Sequence, residues 1–252
     1  MRPVLAAVFR DFICFTVLFI AITAFVFSTP SFAGEWDACK KVFSQKRPIN
    51  ELPMYGFREK TAAQKNADNK FIKKAYEIGT REKAVRDANR SGWKFLNKKD
   101  MKAAIKRFNQ AWLLDQTNGD AYWGFATIVS DRDRDLACTE VLFEKAADIL
   151  PNNIGLEIDL ALFQGRRGDH AKSVRLLLKV AEKHPNAQGL HRFISMEYFR
   201  LNDLRKSLHH ATIARNQGDK NVSAELIKML TCGVKMMDEG KSEAEISVAC
   251  AP

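Results

Sequence analysis

From about residue 61 onward, apolar positions recur three and four residues apart in blocks broken by short polar runs, the spacing of amphipathic helices rather than of strands. The blocks repeat. Gly92, Thr127, Ala161 and Ser195 fall in register at intervals of 35, 34 and 34 residues, as do Asp100, Asp135, Asp169 and Asp203. The second half of each unit repeats as well: Ala104, Phe108 and Ala111 recur as Thr139, Phe143 and Ala146, then Ser173, Leu177 and Val180, then Ser207, Ala211 and Ala214. Self-similarity at this period predicts an all-α helical solenoid, a fold that presents a long surface for holding something.

Each unit reads as two helices joined by a polar turn: Asn97 to Asp100, Arg132 to Asp135, Arg166 to Asp169 and Leu201 to Asp203. An aspartate there can accept hydrogen bonds from the first free amides of the second helix, and its charge favours the positive helix end. The small residues at Gly92, Thr127, Ala161 and Ser195, set against Ala104, Thr139, Ser173 and Ser207, let the paired helices approach closely. Phe108, Phe143 and Leu177 then fill the space between pairs, and Pro151 and Pro185 stop the second helices of units two and three.

With these positions in hand, the stretch from Val85 to Gln217 resembles the tetratricopeptide repeat family. Gly92, Ala104, Phe108, Ala111, Pro151 and Pro185 match that family's pattern of small, aromatic and terminal residues, and Trp123 stands where it often has an aromatic. Three departures stand out. The fourth unit has Ala211 where a large residue is usual, it ends at Asn216-Gln217-Gly218 without proline, and the second unit is one residue longer. The resemblance implies a right-handed superhelical solenoid of about four helix pairs over residues 81–218.

Such a stack needs its end faces covered. A helix over residues 61–80, with Phe71, Ala75 and Ile78 on one face, is placed to cap the first unit. A second, from Val222 to Met237 within residues 219–252, carries Leu226, Leu230 and Val234 toward the fourth. Residues 34–60, with Pro48, Pro53 and Gly56 among basic and scattered aromatic residues, read as an extended basic arm.

Ahead of the arm, Arg2 and Arg10 precede an apolar run from Phe12 to Phe27, and Ser31 and Ala33 suit cleavage before Gly34. Residues 1–33 are therefore expected to be a signal peptide and the product periplasmic. The rival reading is an uncleaved inner-membrane anchor with the rest facing the periplasm, since the run is long for a signal core and short for a span of about 20 residues. Beyond that segment lie Cys39, Cys138, Cys232 and Cys250, which permit two disulfides in three connectivities. Cys232 and Cys250 are close enough to pin the C-terminal tail, whereas Cys138 serves equally well as a small buried apolar residue. No C-x-x-C spacing supports redox catalysis or structural zinc.

The net charge of +10, lowered by one if Arg2, Arg10 and Asp11 leave with the signal, favours acidic partners. Nucleic acid does not fit an exported chain. His170, His184, His191, His209 and His210 have no metalloprotease spacing, and no phosphate loop or nucleophile elbow is present, so no enzyme, metal site or cofactor is expected. Within the resemblance, the first helix of each pair lines a concave groove, and register places Arg86, Asn89, Arg90 and Trp93 there, followed by Arg132, Arg166, Arg192 and Arg200. Ile128, Leu162, Met196 and Phe199 lie between them. Asn89 and Arg90 resemble in kind the clamp residues with which some members hold a peptide C-terminus, although later units lack matching residues and Asp159 occupies a comparable place. Guanidinium groups around apolar pockets suit a protein or peptide partner that is acidic or carries a free carboxylate. Tyr122, Trp123 and Phe125 read first as core. The expected function is a non-catalytic scaffold or adaptor. The alternative is a basic binder of polyanions or membrane surfaces, with membrane association through the N-terminus.

Overall fold

The computed structural model describes residues 34 and 36–250; the expected export segment, residues 1–33, lies outside them. A short α1 (Lys40–Phe43) sits between single 3-10 turns. The long helices follow: α2 (Ala62–Ile78), α3 (Arg81–Asn97), α4 (Met101–Leu114), α5 (Gly119–Ile128), α6 (Leu136–Ile149), α7 (Ile154–Arg166), α8 (His170–Lys183), α9 (Leu190–Arg200), α10 (Leu204–Asn216), α11 (Ala224–Asp238) and α12 (Glu243–Ala249). No strand occurs among the described residues. Units one to four are α3/α4, α5/α6, α7/α8 and α9/α10.

The unit turns form as the register predicts. Lys99, Arg134, Gly168 and Asn202 each take the left-handed conformation that lets the chain reverse after a helix. The next residue caps the second helix: Asp100, Asp135, Asp169 and Asp203 accept the amides of Ala103, Cys138, Lys172 and Lys206 at 2.9, 3.0, 2.8 and 3.1 Å. Thr80, Asn118 and Asn153 cap the first helices of units one to three in the same way.

Packing follows the small and large positions. Ala104, Thr139, Ser173 and Ser207 are buried, and so are Phe108, Phe143 and Leu177. Phe108 is gripped from two units: a Cβ on Gly92 would come within 2.7 Å of its ring, and one on Gly124 within 2.4 Å. The buried apolar side chains then separate into three clusters along the chain, through Phe163, from Ile158 to Ile194, and from Leu204 onward. The junction of α6 with α7 is sparser than those of α4 with α5 and α8 with α9. The largest of the three clusters lies at the N-terminal end.

The extra residue of unit two is taken up inside its first helix. Val129–Asp133 forms a single π turn, closed by the Arg134 amide on the Val129 carbonyl at 2.9 Å. Such a turn absorbs one inserted residue and redirects the side chains beyond it.

The expected extended arm is instead folded, and several of its apolar side chains are buried. Trp36, Val42, Leu52, Met54 and Tyr55 are each 8% exposed or less, and all but Leu52 join the main core cluster. The buried Asn109 on α4 organises it: its Nδ2 donates to the Asn50 and Leu52 carbonyls at 3.1 and 2.8 Å, and its Oδ1 accepts from the Tyr55 amide at 3.3 Å. Proline and glycine made this segment look extended, but here they shape a tight turn. Met54, Tyr55, Gly56 and Phe57 all have φ between 50° and 63°, a run that costs about 1–2 kcal/mol per non-glycine residue. Ring packing offsets that cost: Tyr55 is buried against Trp112 at 6.4 Å, the half-exposed Phe57 meets Trp112 edge-on at 6.0 Å, and Trp36 stacks on Tyr122 at 5.9 Å. A disulfide from Cys39 to Cys138 on α6 fixes the arm.

Both ends are covered by helices. Phe71 and Ala75 of α2 pack partly buried against the main cluster, while the Ile78 side chain is outside the described structure. Leu230 of α11 is buried with Leu226 and Val234 beside it, and Cys232 on α11 is bonded to Cys250, which holds α12 in place.

Candidate functional site

The first helices of units one to three carry a connected row of aromatic and charged groups. Trp93 on α3 meets Trp123 on α5 edge-on, with ring centroids 4.6 Å apart. Trp123 Nε1 donates to Asp159 Oδ2 on α7 at 2.8 Å. Gly155 makes room for the indole, since a Cβ there would lie 2.7 Å from it. Burial pushes the Asp159 carboxyl above the usual carboxylate range, against the Trp123 hydrogen bond and the nearby Arg166, and Asp131 adds to the rise. Arg166 closes the row, 3.7 Å from Asp131.

The remaining groove candidates are distributed differently. Arg86 and Arg90 are exposed at the start of the row, with Arg90 3.4 Å from Asp87. Asn89 is buried and donates to the Asn118 side chain at 2.9 Å, tying α3 to the cap of α5 rather than presenting a clamp. Arg132 leaves the groove altogether. The π turn swings it onto the arm, where it donates to the Glu51 carbonyl at 3.0 Å and pairs with Asp133 at 2.7 Å. The Asp133 side chain is fully buried and also pairs with Arg47 of the arm at 3.2 Å. Arg192 is likewise engaged: it bonds Asp219 at 3.0 Å and lies over the Phe193 ring at 4.2 Å, bordering a recess of about 660 Å³ beside the 216–221 turn. Of the aromatic trio, Tyr122 and Phe125 are core, as read from sequence, while Trp123 is only half buried.

Phe199 and Arg200 occupy the last first helix, α9. Phe199 is 48% exposed and Met196 43%. Arg200 is exposed and, among the described residues, makes no hydrogen bond or ion pair. These three line a recess of about 280 Å³ with Leu226 and Met229 of α11.

Two clusters escaped the sequence. His191 on α9 and His210 on α10 stack at 5.2 Å with their Nδ1 atoms 3.0 Å apart, and Tyr198 stacks on His210 at 5.7 Å. Burial, with His191 and His209 adjacent, lowers the His210 pKa to about 4, and burial lowers that of His191. A buried Glu197 pairs with His170 Nδ1 at 2.8 Å across units three and four. Only the helical register could have signalled either cluster, and 19- and 27-residue separations hide it. No group of three metal-ligating side chains occurs among the described residues, and no described helix is long and apolar enough to cross a membrane.

These features describe a class of molecule before any particular one: a helix-pair solenoid whose successive first helices display indole, carboxylate and guanidinium groups. Among solved structures, this fold is similar to one titled "Functional Characterization of Pseudomonas Aeruginosa pilF", with a TM-score of 0.54 and 11% sequence identity over 68% of this chain and 78% of that one. At that identity the likeness is one of fold alone. No family model matches the chain, and no curated protein matches it in sequence.

Proposed function

We propose that this chain is a non-catalytic scaffold of the tetratricopeptide type that binds a protein or peptide along its first helices, in the periplasm or cell envelope of a bacterium. The observation that carries this reading is the row itself. Trp93, Trp123, Asp159 and Arg166 align across three units, and the row continues in Met196, Phe199 and Arg200, whose apolar surface has no cover. Aromatic and arginine side chains on a rigid scaffold are the groups that dominate protein interfaces. The two disulfides support an oxidising compartment, and the apolar run before Gly34 supports export or an N-terminal anchor.

The test is crosslinking of the tagged chain in intact cells beside an Arg90→Glu, Arg166→Glu variant. Both residues are exposed enough to change without unfolding the helices. One dominant protein captured by the parent and lost in the variant is the expected result; a diffuse, acidic or lipid-associated catch unchanged by the variant overturns it.

The net charge of +10 favours a second reading, a basic binder of polyanions or of membrane surfaces. That reading requires graded losses with each lysine removed and steep dependence on salt.

A further inference from the structure

The C-terminal end of the stack holds two recesses that share a wall. The smaller, about 280 Å³, opens between α9 and α11. The larger, about 640 Å³, lies between the end of α9, α11 and α12, with Leu204, Leu230, Met237 and Ile246 among its lining. Phe199 and Met229 border both and form a ridge between them. Their surface is apolar and uncovered: Phe199, Met196 and Met237 are 48%, 43% and 38% exposed.

This end differs from the row on units one to three, where the indoles already have partners. Three methionines line the two recesses, and unbranched thioether side chains adapt to the shape of what enters. The charged residues that line the recesses are Arg200, Lys241 and Glu243. Lys241 lies 3.8 Å from Glu245 and Glu243 accepts a hydrogen bond from Asn202, whereas Arg200, bordering the smaller recess, has no partner among the described residues. An unpaired guanidinium beside an apolar recess gains most from a carboxylate delivered by whatever fills that recess, because two parallel hydrogen bonds then form as water leaves. The wall is built in advance. Cys250 lines the larger recess, and its bond to Cys232 holds α12 in place before any partner arrives.

We propose that the double recess docks one amphipathic helix of an acidic partner protein, seating two large apolar side chains spaced i and i+3 or i+4 on either side of the Phe199–Met229 ridge and placing an Asp or Glu on Arg200. Neighbours at that spacing lie about 5–6 Å apart on one helix face, so two of them can straddle the side chains that the recesses share. A lipid chain calls for one unbroken slot, and a flat bilayer does not follow two recesses with a side-chain ridge between them. The proposal rests on the protein-binding reading above and adds a second contact at this end of the stack to the row on units one to three.

The probe is a phage-displayed library of random 12-residue peptides, selected on the full chain and followed by titration of resynthesised winners. Winners are expected to share two large apolar residues three or four apart with a carboxylate within one turn. Phe199→Glu is expected to weaken them at least tenfold. Arg200→Glu weakens them about tenfold and is rescued when the peptide's acidic residue is exchanged for Lys. The Cys232→Ser, Cys250→Ser variant, which leaves the first disulfide intact, binds more weakly because the wall is no longer fixed. Phe199 and Arg200 are exposed, so unchanged circular dichroism and Tm verify that their variants fold. Winners that bind Phe199→Glu and Arg200→Glu like the parent overturn the proposal. If those same peptides are lost on the Arg90→Glu, Arg166→Glu variant, binding belongs to units one to three and the scaffold reading survives alone. A library that yields no winner overturns both.

Discussion

The first two helix pairs and the last two use the same turns and the same capping aspartates, yet they finish their cores by different means. In units one and two, Phe108 is held between Gly92 and Gly124, and a folded arm lays Trp36, Met54 and Tyr55 over the helices with a disulfide from Cys39 to Cys138. In units three and four the buried apolar residues are fewer, polar pairs such as Ser195 with Ser207 and His191 with His210 stand between helices, and Met196 and Phe199 remain in water. The sparse junction of α6 with α7 separates the two. The same repeat therefore carries a covered apolar face in one half and an uncovered one in the other, according to what is laid against it.

The sharpest break of this contrast is removal of the arm's disulfide. It closes a loop of 99 residues, which in the chain-entropy view is worth about 4.7 kcal/mol, so urea unfolding of Cys39→Ser, Cys138→Ser should show a loss on that scale. The corresponding change at Cys232 and Cys250, across 18 residues, should cost about 3 kcal/mol, and the order of the two is the point at issue. Arg132→Met leaves the buried Asp133 with Arg47 alone and should cost about 3 kcal/mol, with faster proteolysis of the arm. Equal stability of parent and variant would place Arg132 outside the foundation.

Acid should act on the other half. The folded state holds His210 at about 4 and His191 below the ordinary 6.5, so the unfolded chain binds more protons than the folded one as pH falls. This stability is complete above pH 6.5 and is lost as pH drops from 6.5 toward 4. Each kcal/mol lost should lower Tm by about 2–4 °C in a domain of this size. His210→Phe keeps a ring against Tyr198 and removes the titration, so its Tm should vary less with pH over that window; an unchanged pH dependence would exclude the pair as its source. Smallest of all is Phe199→Ala, which should shift stability by no more than about 0.5 kcal/mol because the ring is exposed, while reducing partner capture.

What the sequence announced were the parts encoded within a few residues of one another. A capping aspartate bonds the amide three residues on, and a small residue facing a large one recurs at a fixed interval, so turns, helix pairs and Phe108, Phe143 and Leu177 were legible. The arm was not, because its hub is one buried asparagine, Asn109, bonded to residues 54 to 59 positions away, and no periodicity marks such a residue. Register showed which helix faces carry arginines but not what each arginine touches. Arg132 was rotated away by the π turn, Arg192 was taken by Asp219 and Asn89 by Asn118. The row from Trp93 to Asp159 also lay beyond register, because its links join three different helices.

The arm also sets an order of assembly. A polypeptide emerges N-terminus first, and each later helix pair can settle on the pair before it as soon as it appears. Trp36, Met54 and Tyr55 cannot do so. Their seats are on α4 and α5, and Cys39 must wait for Cys138, 99 residues downstream. For that interval side chains that end up buried in the main core stand in water, and the nascent chain is best shielded there, by a chaperone, until α6 has emerged.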